Sequence, residues 1–178
     1  MKVKVVTLTT ELQNKGLLKL KYSLDHYGWD YHIIHQDAQS GGHIFGTQMP
    51  LVYEYLKELK SNGEYTHVIY TDAWDTFALS NEEEFISKLP LDILFLGSAE
   101  KACFPHPELA IQFPNSKNEW KYPNGGGWFS NIKYFISMYD NCPAKGVNDQ
   151  LWLHERFLHG IKNGDNIKLD TECKIFQT

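Results

Sequence analysis

The sequence predicts an α/β protein, a sheet flanked by helices, from three observations. Short runs rich in β-branched and aromatic residues, such as Val3-Lys4-Val5-Val6 and Val68-Ile69-Tyr70, read as strands. Between them, apolar residues recur at helical spacing. A strand, a helix and a second strand fit between Lys2 and His35, which is the pattern of a parallel crossover unit. At 178 residues, the chain is expected to form one domain, 1–178, with a sizeable core.

The elements follow in order. Lys2 to Leu8 is a first, central strand that runs out into Thr7-Leu8-Thr9-Thr10-Glu11. Hydroxyls there either bond a base or sugar, or cap the next helix. Leu12, Leu17, Leu18, Leu20, Tyr22, Leu24 and Tyr27 recur at helical spacing and form that helix, and Gly28 closes it. Tyr31 to His35 is a second strand. Gln36 to Gln48 is a long loop whose Gly41, Gly42 and Gly46 let backbone approach a ligand. Its spacing is neither a dinucleotide fingerprint nor a P-loop. Pro50 suits the first turn of a helix that Val52, Tyr55, Leu56 and Leu59 continue.

His67 to Asp75 is the stretch around which the chain is organised. Its first half is a buried strand. Its second half carries Asp72 and Asp75 where the strand becomes loop. Ligands of open α/β sheets bind outside the carboxyl ends of strands. Two hard oxygen donors there suit Mg²⁺ or Mn²⁺ bridging to a diphosphate. The doublet is equally compatible with Asp72 capping a turn and Asp75 being solvated.

Beyond it, Ser80 and Glu83 have capping-box spacing for a short helix ending near Leu89-Pro90. Ile93 to Leu96 lies in a further strand, 92–98, ending in Ser98-Ala99-Glu100. Pro105, Pro107 and Pro114 predict loop with short strand pieces over 101–123. Asn124-Gly125-Gly126-Gly127-Trp128 places three consecutive glycines where a substrate or backbone passes closely. A helix through Tyr134 to Met138 follows. Asn148 caps another, with Asp149 in its first turn, where the helix dipole favours a carboxylate. Ile167 to Phe176 reads as one or two short strands.

Composition narrows the function. A net charge of -5 argues against nucleic-acid binding. No apolar run approaches membrane-spanning length. Met1 leads straight into a strand, with no targeting segment in view. Cys103, Cys142 and Cys173 show no CxxC pairing, which fits free thiols in a reducing, cytoplasmic setting and not a zinc site.

Six stretches, in order, resemble the glycosyltransferase domain of the procollagen lysyl hydroxylases and the related collagen-type galactosyl- and glucosyltransferases. They are 5–10, 70–75, Gly97-Ser98-Ala99-Glu100 with Pro105 behind it, 124–128, Asn148-Asp149-Gln150-Leu151-Trp152, and Leu169-Asp170 with 173–178. The resemblance implies a GT-A type, Rossmann-like mixed sheet that binds a UDP-sugar with Mn²⁺, or Mg²⁺. It implies Asp72 and Asp75 as metal ligands, and Trp74, Leu8 and Thr10 on the nucleotide. Gln48 stands at the end of the glycine loop. Asn124, Gly125, Gly126, Asp149 and Gln150 line the sugar side. The chain departs from the family at three points. Met49, beside Gln48, stands where a lysine is expected. The acidic run before Gln150 is reduced to Asn148-Asp149. The family's third metal ligand, a histidine downstream of Ile175-Phe176-Gln177, is absent from the 178 residues; His154 or His159 could replace it only if the last helix folds toward the metal, and both are expected at the surface.

The function expected is metal-dependent transfer of a hexose from a UDP-sugar to a hydroxyl acceptor, a sugar or a hydroxylysine-like group. Asp149 would be the general base if the anomeric carbon inverts, with its pKa raised by Glu100 as a neighbour. The alternatives are a non-catalytic nucleotide-sugar binding module, a fragment of a longer enzyme, or a metal phosphohydrolase using the same aspartates.

Overall fold

In the computed structural model, alternation of apolar residues along the strands builds a six-stranded sheet of order β2-β1-β3-β5-β4-β6. The structure describes residues 1–36, 48–144 and 146–176. The strands are β1 (Val3–Thr9), β2 (Tyr31–His35), β3 (His67–Thr71), β4 (Phe95–Glu100), β5 (Tyr122–Asn131) and β6 (Ile167–Asp170). β1 pairs in parallel with β2 and β3, and β4 with β6. β5 runs antiparallel between β3 and β4. This is the mixed α/β sheet of a GT-A type fold. The helices are α1 (Lys15–His26), α2 (Gln48–Asn62), α3 (Glu82–Lys88), α4 (Ile132–Asn141) and α5 (Asp149–Asn163).

The two faces of the sheet bury different helices. Val5, Ile69, Phe129 and Leu96 pack on Leu20 and Leu24 of α1 and Phe85 of α3. Val6, Val68, Tyr70 and Trp128 pack on α2, α4 and α5 through Val52, Phe135 and Trp152. Trp128 stands at the centre of the second face, stacked on Phe135 with centroids 4.7 Å apart and on Tyr70 at 5.3 Å. Such pairs add about 0.5–1.5 kcal/mol beyond the area they bury.

Several local expectations shift. Asn14, not a threonine, caps α1, accepting from the Gly16 N–H at 2.8 Å. Asn81, one residue past Ser80, caps α3 through the Glu84 N–H at 2.9 Å. Segment 101–121 holds a 3-10 turn, Pro107–Gln112, and no strand. The glycine triplet, which the sequence marks as a close approach without assigning it an element, lies inside β5. Residues 167–176 give one strand and then turns. The glycine-bearing loop expected between Gln36 and Gln48 falls, at 37–47, outside the described residues.

α1 also braces the turn after β3. A Cβ on Gly16 would lie 1.7 Å from the Trp74 carbonyl oxygen, so the helix touches that turn through bare backbone. Gly16→Ala is therefore expected to destabilise the protein by ~1–3 kcal/mol or more. Lys15→Ala, at an exposed position one residue earlier, should stay within about 0.5 kcal/mol. Chemical denaturation of the two variants measures the difference.

Candidate active site

The site forms where β3 ends. The β3–β5 ladder continues one residue past the strand, with the Asp72 N–H donating to Gly126 O at 2.8 Å. The turn after it is closed internally. Thr71 Oγ1 donates to Thr76 Oγ1 at 2.8 Å, and the Thr76 hydroxyl donates to the Asp72 carbonyl. Asp72 is partly buried and Asp75 is exposed. Burial, and then the charge of Asp75, push the Asp72 carboxyl up to about 6. A Cβ on Gly126 would lie 2.5 Å from Asp72 Oδ2, so no side chain fits under that carboxylate.

Trp74 is 46% exposed, and is not a core residue. Its Nε1 donates to Thr9 Oγ1 at 3.1 Å, and the same oxygen accepts from the Glu11 N–H at 3.1 Å. The end of β1 therefore holds the indole by its edge. Thr10 is partly exposed beside it, whereas the Leu8 side chain is buried in the core and offers the site only backbone.

The other face of the sheet contributes through Tyr70. The Tyr70 hydroxyl donates to Gln48 Oε1 at 3.0 Å. Burial, then Asp72, then Asp149 push its pKa well up, so it stays neutral. Asp149 is buried at the start of α5, whose N-cap Asn148 accepts from the Leu151 N–H at 3.1 Å. Asp149 Oδ1 accepts from the Met49 N–H at 3.3 Å. Met49, at the position where a lysine was expected, is wholly buried.

Beside these residues, Asn124 Oδ1 accepts from the Gly126 N–H at 2.8 Å. Glu100 accepts from Asn124 Nδ2 at 3.0 Å and also from Gln150 Nε2. Glu100 was expected to act on Asp149; its hydrogen bonds go to the two amides instead. Tyr70 had been read only as a strand residue. Its position two residues before Asp72 in the chain was the available signal.

A cleft of about 490 Å³ opens along Thr71, Asp72, Asp75 and Asn124, with Trp29 and Phe176 on its apolar side. The tail reaches it because Asp170 accepts three backbone N–H groups, from Lys174 at 3.0 Å, Ile175 at 2.6 Å and Phe176 at 2.8 Å. Asp72 and Asp75 are the hard oxygen donors here, and their mutual repulsion is what a cation relieves. The donor set thus fits a divalent metal. Among the described residues, no group of three or more His, Cys, Asp or Glu forms a metal cluster. His159 is exposed, as expected. His154 is not: it is wholly buried, its Nε2 is 2.8 Å from Pro123 O and its Nδ1 is 3.8 Å from Cys103 Sγ. Its ring ties α5 to β5, and burial holds its pKa down.

The family model that matches the whole chain makes this a glycosyltransferase-type domain. The chain belongs to the PLOD GT domain family, whose model matches residues 1–178. It is 24% identical over 184 residues to mouse procollagen-lysine,2-oxoglutarate 5-dioxygenase 2, covering 99% of this chain and 25% of that protein. It is 26% identical over 137 residues to the Drosophila melanogaster procollagen-lysine,2-oxoglutarate 5-dioxygenase, covering 74% of this chain and 19% of the relative. The chain thus spans a quarter or less of the length of these relatives. A glycosyltransferase involved in glycosylation of the major capsid of PBCV-1 shares the fold, with a TM-score of 0.56 and 12% identity over 95% of this chain and 81% of that one. Among the described residues, no helix is long and apolar enough to cross a membrane.

The raised Asp72 pKa has a stability consequence. A carboxyl whose folded pKa lies above its unfolded value of 3.8 is penalised as it ionises. The penalty is absent well below pH 4, grows between about 4 and 6, and is complete above 6. Asp72→Asn should therefore stabilise the metal-free protein at pH 7, by ~1–3 kcal/mol, and leave it little changed at pH 4. Melting curves at the two pH values test this.

Proposed function

We propose that this domain transfers a hexose from a UDP-sugar to a hydroxyl acceptor, a sugar or a hydroxylysine-like group, and that it uses Mn²⁺ or Mg²⁺. The observation that carries the proposal is the Asp72–Asp75 pair. One member is partly buried and disfavoured as a bare anion, and the pair stands at a strand end over glycine backbone. Asp72 and Asp75 would hold the metal. Bound there, it supplies Lewis-acid neutralisation of the charge that builds on the diphosphate leaving group.

The chain's own residues do the rest. Trp74, with its edge fixed on Thr9, turns an exposed ring face to the uracil, while Thr10 and the backbone at Leu8 line the nucleotide end. Asn124, Gly125, Gly126 and Gln150 receive the sugar, and Gln48, bonded by the Tyr70 hydroxyl, is a further donor-binding residue. Asp149 takes the acceptor proton if the reaction inverts. Its Oδ1 is already oriented by the Met49 N–H. A second reading, nucleotide-sugar binding without turnover, is favoured by one observation. Among the described residues no further His, Cys, Asp or Glu completes a metal cluster with the aspartates.

Isothermal titration with UDP tests the donor site. Affinity should rise on adding Mn²⁺, and Asp72→Ala and Asp75→Ala should each abolish that rise without unfolding the protein. Trp74→Ala should weaken UDP about 5- to 100-fold, a stacking contribution of ~1–3 kcal/mol. UDP binding that ignores Mn²⁺ would exclude the metal role.

Turnover separates the two readings. A donor panel with Mn²⁺ should give transfer or slow hydrolysis in the wild type. Asp149→Asn should keep UDP and Mn²⁺ binding and lose about 100-fold or more in transfer. Loss of UDP binding in that variant would place Asp149 in the donor site, and binding without any turnover in the wild type would favour the module.

A further inference from the structure

Glu100 lies at the end of β4 and uses both carboxylate oxygens on amide groups. Its Oε2 accepts from Asn124 Nδ2 at 3.0 Å, and its Oε1 accepts from Gln150 Nε2. The second hydrogen of the Gln150 amide goes to the Phe104 carbonyl at 3.0 Å. Both N–H groups of Gln150 are thus spent on oxygens. Rotating that amide by half a turn would set Gln150 Oε1 against a carboxylate and a carbonyl. Asn124 is fixed in the same way. Its Oδ1 accepts from the Gly126 N–H at 2.8 Å and from Ser98 Oγ at 3.4 Å, and its amide nitrogen faces Glu100.

An amide side chain has one accepting and one donating end, and an ionised carboxylate only accepts. Glu100 therefore sets the polarity of both neighbours. It leaves Gln150 Oε1 over Gly125, 3.6 Å from where a Cβ on that glycine would stand. The same clamp reaches the metal pair through backbone. Asn124 holds the Gly126 N–H, and Gly126 O holds the Asp72 N–H at 2.8 Å.

We propose that Glu100 is a positioning residue. It presents Gln150 Oε1 as a fixed hydrogen-bond acceptor for a hydroxyl of the bound hexose, and so governs how strongly the donor's sugar, as distinct from its nucleotide, is held. This rests on the UDP-sugar reading of the site. Glu100 itself touches neither sugar nor metal; it acts through Gln150 and Asn124.

Glu100→Gln keeps the shape and replaces one accepting oxygen by an NH₂ group. That NH₂ meets a donor amide, so one of the two neighbours must lose its bond or turn over. The test compares affinities for UDP, UDP-glucose and UDP-galactose in Mn²⁺, for wild type, Glu100→Gln, Gln150→Ala and the double variant. In Glu100→Gln, affinity for UDP should stay within about twofold. The gain from UDP to the preferred UDP-hexose should fall about tenfold, the size of one hydrogen bond with its polarity reversed. In the Gln150→Ala background the same change should have no further effect, because the two residues act as one unit. Additive losses would overturn the proposal by giving Glu100 a sugar contact of its own. Equal losses for UDP and UDP-hexose would overturn it by reducing Glu100 to a structural tie. If the wild type binds no UDP in Mn²⁺, the donor reading falls and this role falls with it. If the wild type discriminates and Glu100→Gln discriminates equally, only the role of Glu100 is lost. Should Glu100→Gln fail to fold, Glu100→Asp carries the same comparison. It keeps the charge but loses the reach to two amides.

Discussion

The carboxylate of Asp72 rests on bare backbone, and the rest of the site depends on that contact. Gly126 has no side chain to separate β5 from the end of β3, so the ladder runs on by one hydrogen bond and carries Asp72 to the edge of the cleft. The cost is a carboxylate that is partly dehydrated and repelled by Asp75. A group in that state stabilises the fold less when ionised than when protonated. Its position is favourable only when something positively charged arrives. Strain of this kind is concentrated at functional sites and offset by ordinary packing elsewhere. Tyr70, two residues before Asp72, belongs to the aromatic stack with Trp128 and Phe135 that packs this part of the core.

The two faces of the sheet serve the site differently. On one face, α1 approaches through Gly16 and fixes the turn that bears Trp74 and Asp75. On the other, α2 brings Gln48 to the Tyr70 hydroxyl and α5 carries Asp149, whose charge acts on it. Tyr70 is thus a neutral, buried hydroxyl under the influence of two carboxylates on different elements. β5, antiparallel to its neighbours, lets Asn124 and the glycines run back past Asp72. A sheet of parallel strands alone would have left that strand's beginning at the opposite edge.

Much of this was legible because local signals and the fold agreed. The order of strands and helices, the strand-end carboxylates and Asn148 as the cap of α5 all follow from short-range chemistry. What was not legible depended on partners far away in sequence. The threonine hydroxyls were the expected caps, but α1 starts only at Lys15 and Asn14 caps it, while the Thr9 hydroxyl bonds the Trp74 indole from 65 positions away. Asn81 takes the cap expected of Ser80, whose carbonyl is bonded by the Trp29 indole at 2.6 Å from 51 positions away. The glycine triplet signalled a close approach but not its element, because glycine disfavours strands. The extended ladder and the close approach of Asp72 keep it in β5. His154 looked like a surface histidine until Pro123 and Cys103 closed around it. Glu100 was expected beside Asp149 from the order of the motifs, but its partners lie 24 and 50 residues away in sequence and are the amides of Asn124 and Gln150.

The account stands on a metal held by Asp72 and Asp75 next to the nucleotide. The most direct measurement is anomalous diffraction at the manganese edge from crystals grown with UDP and Mn²⁺. The account predicts one strong anomalous peak within coordination distance, about 2.0–2.3 Å, of a carboxylate oxygen from each aspartate and of the UDP phosphates. A peak bound elsewhere on the chain, or ordered UDP at the site with no metal between it and these carboxylates, would contradict it.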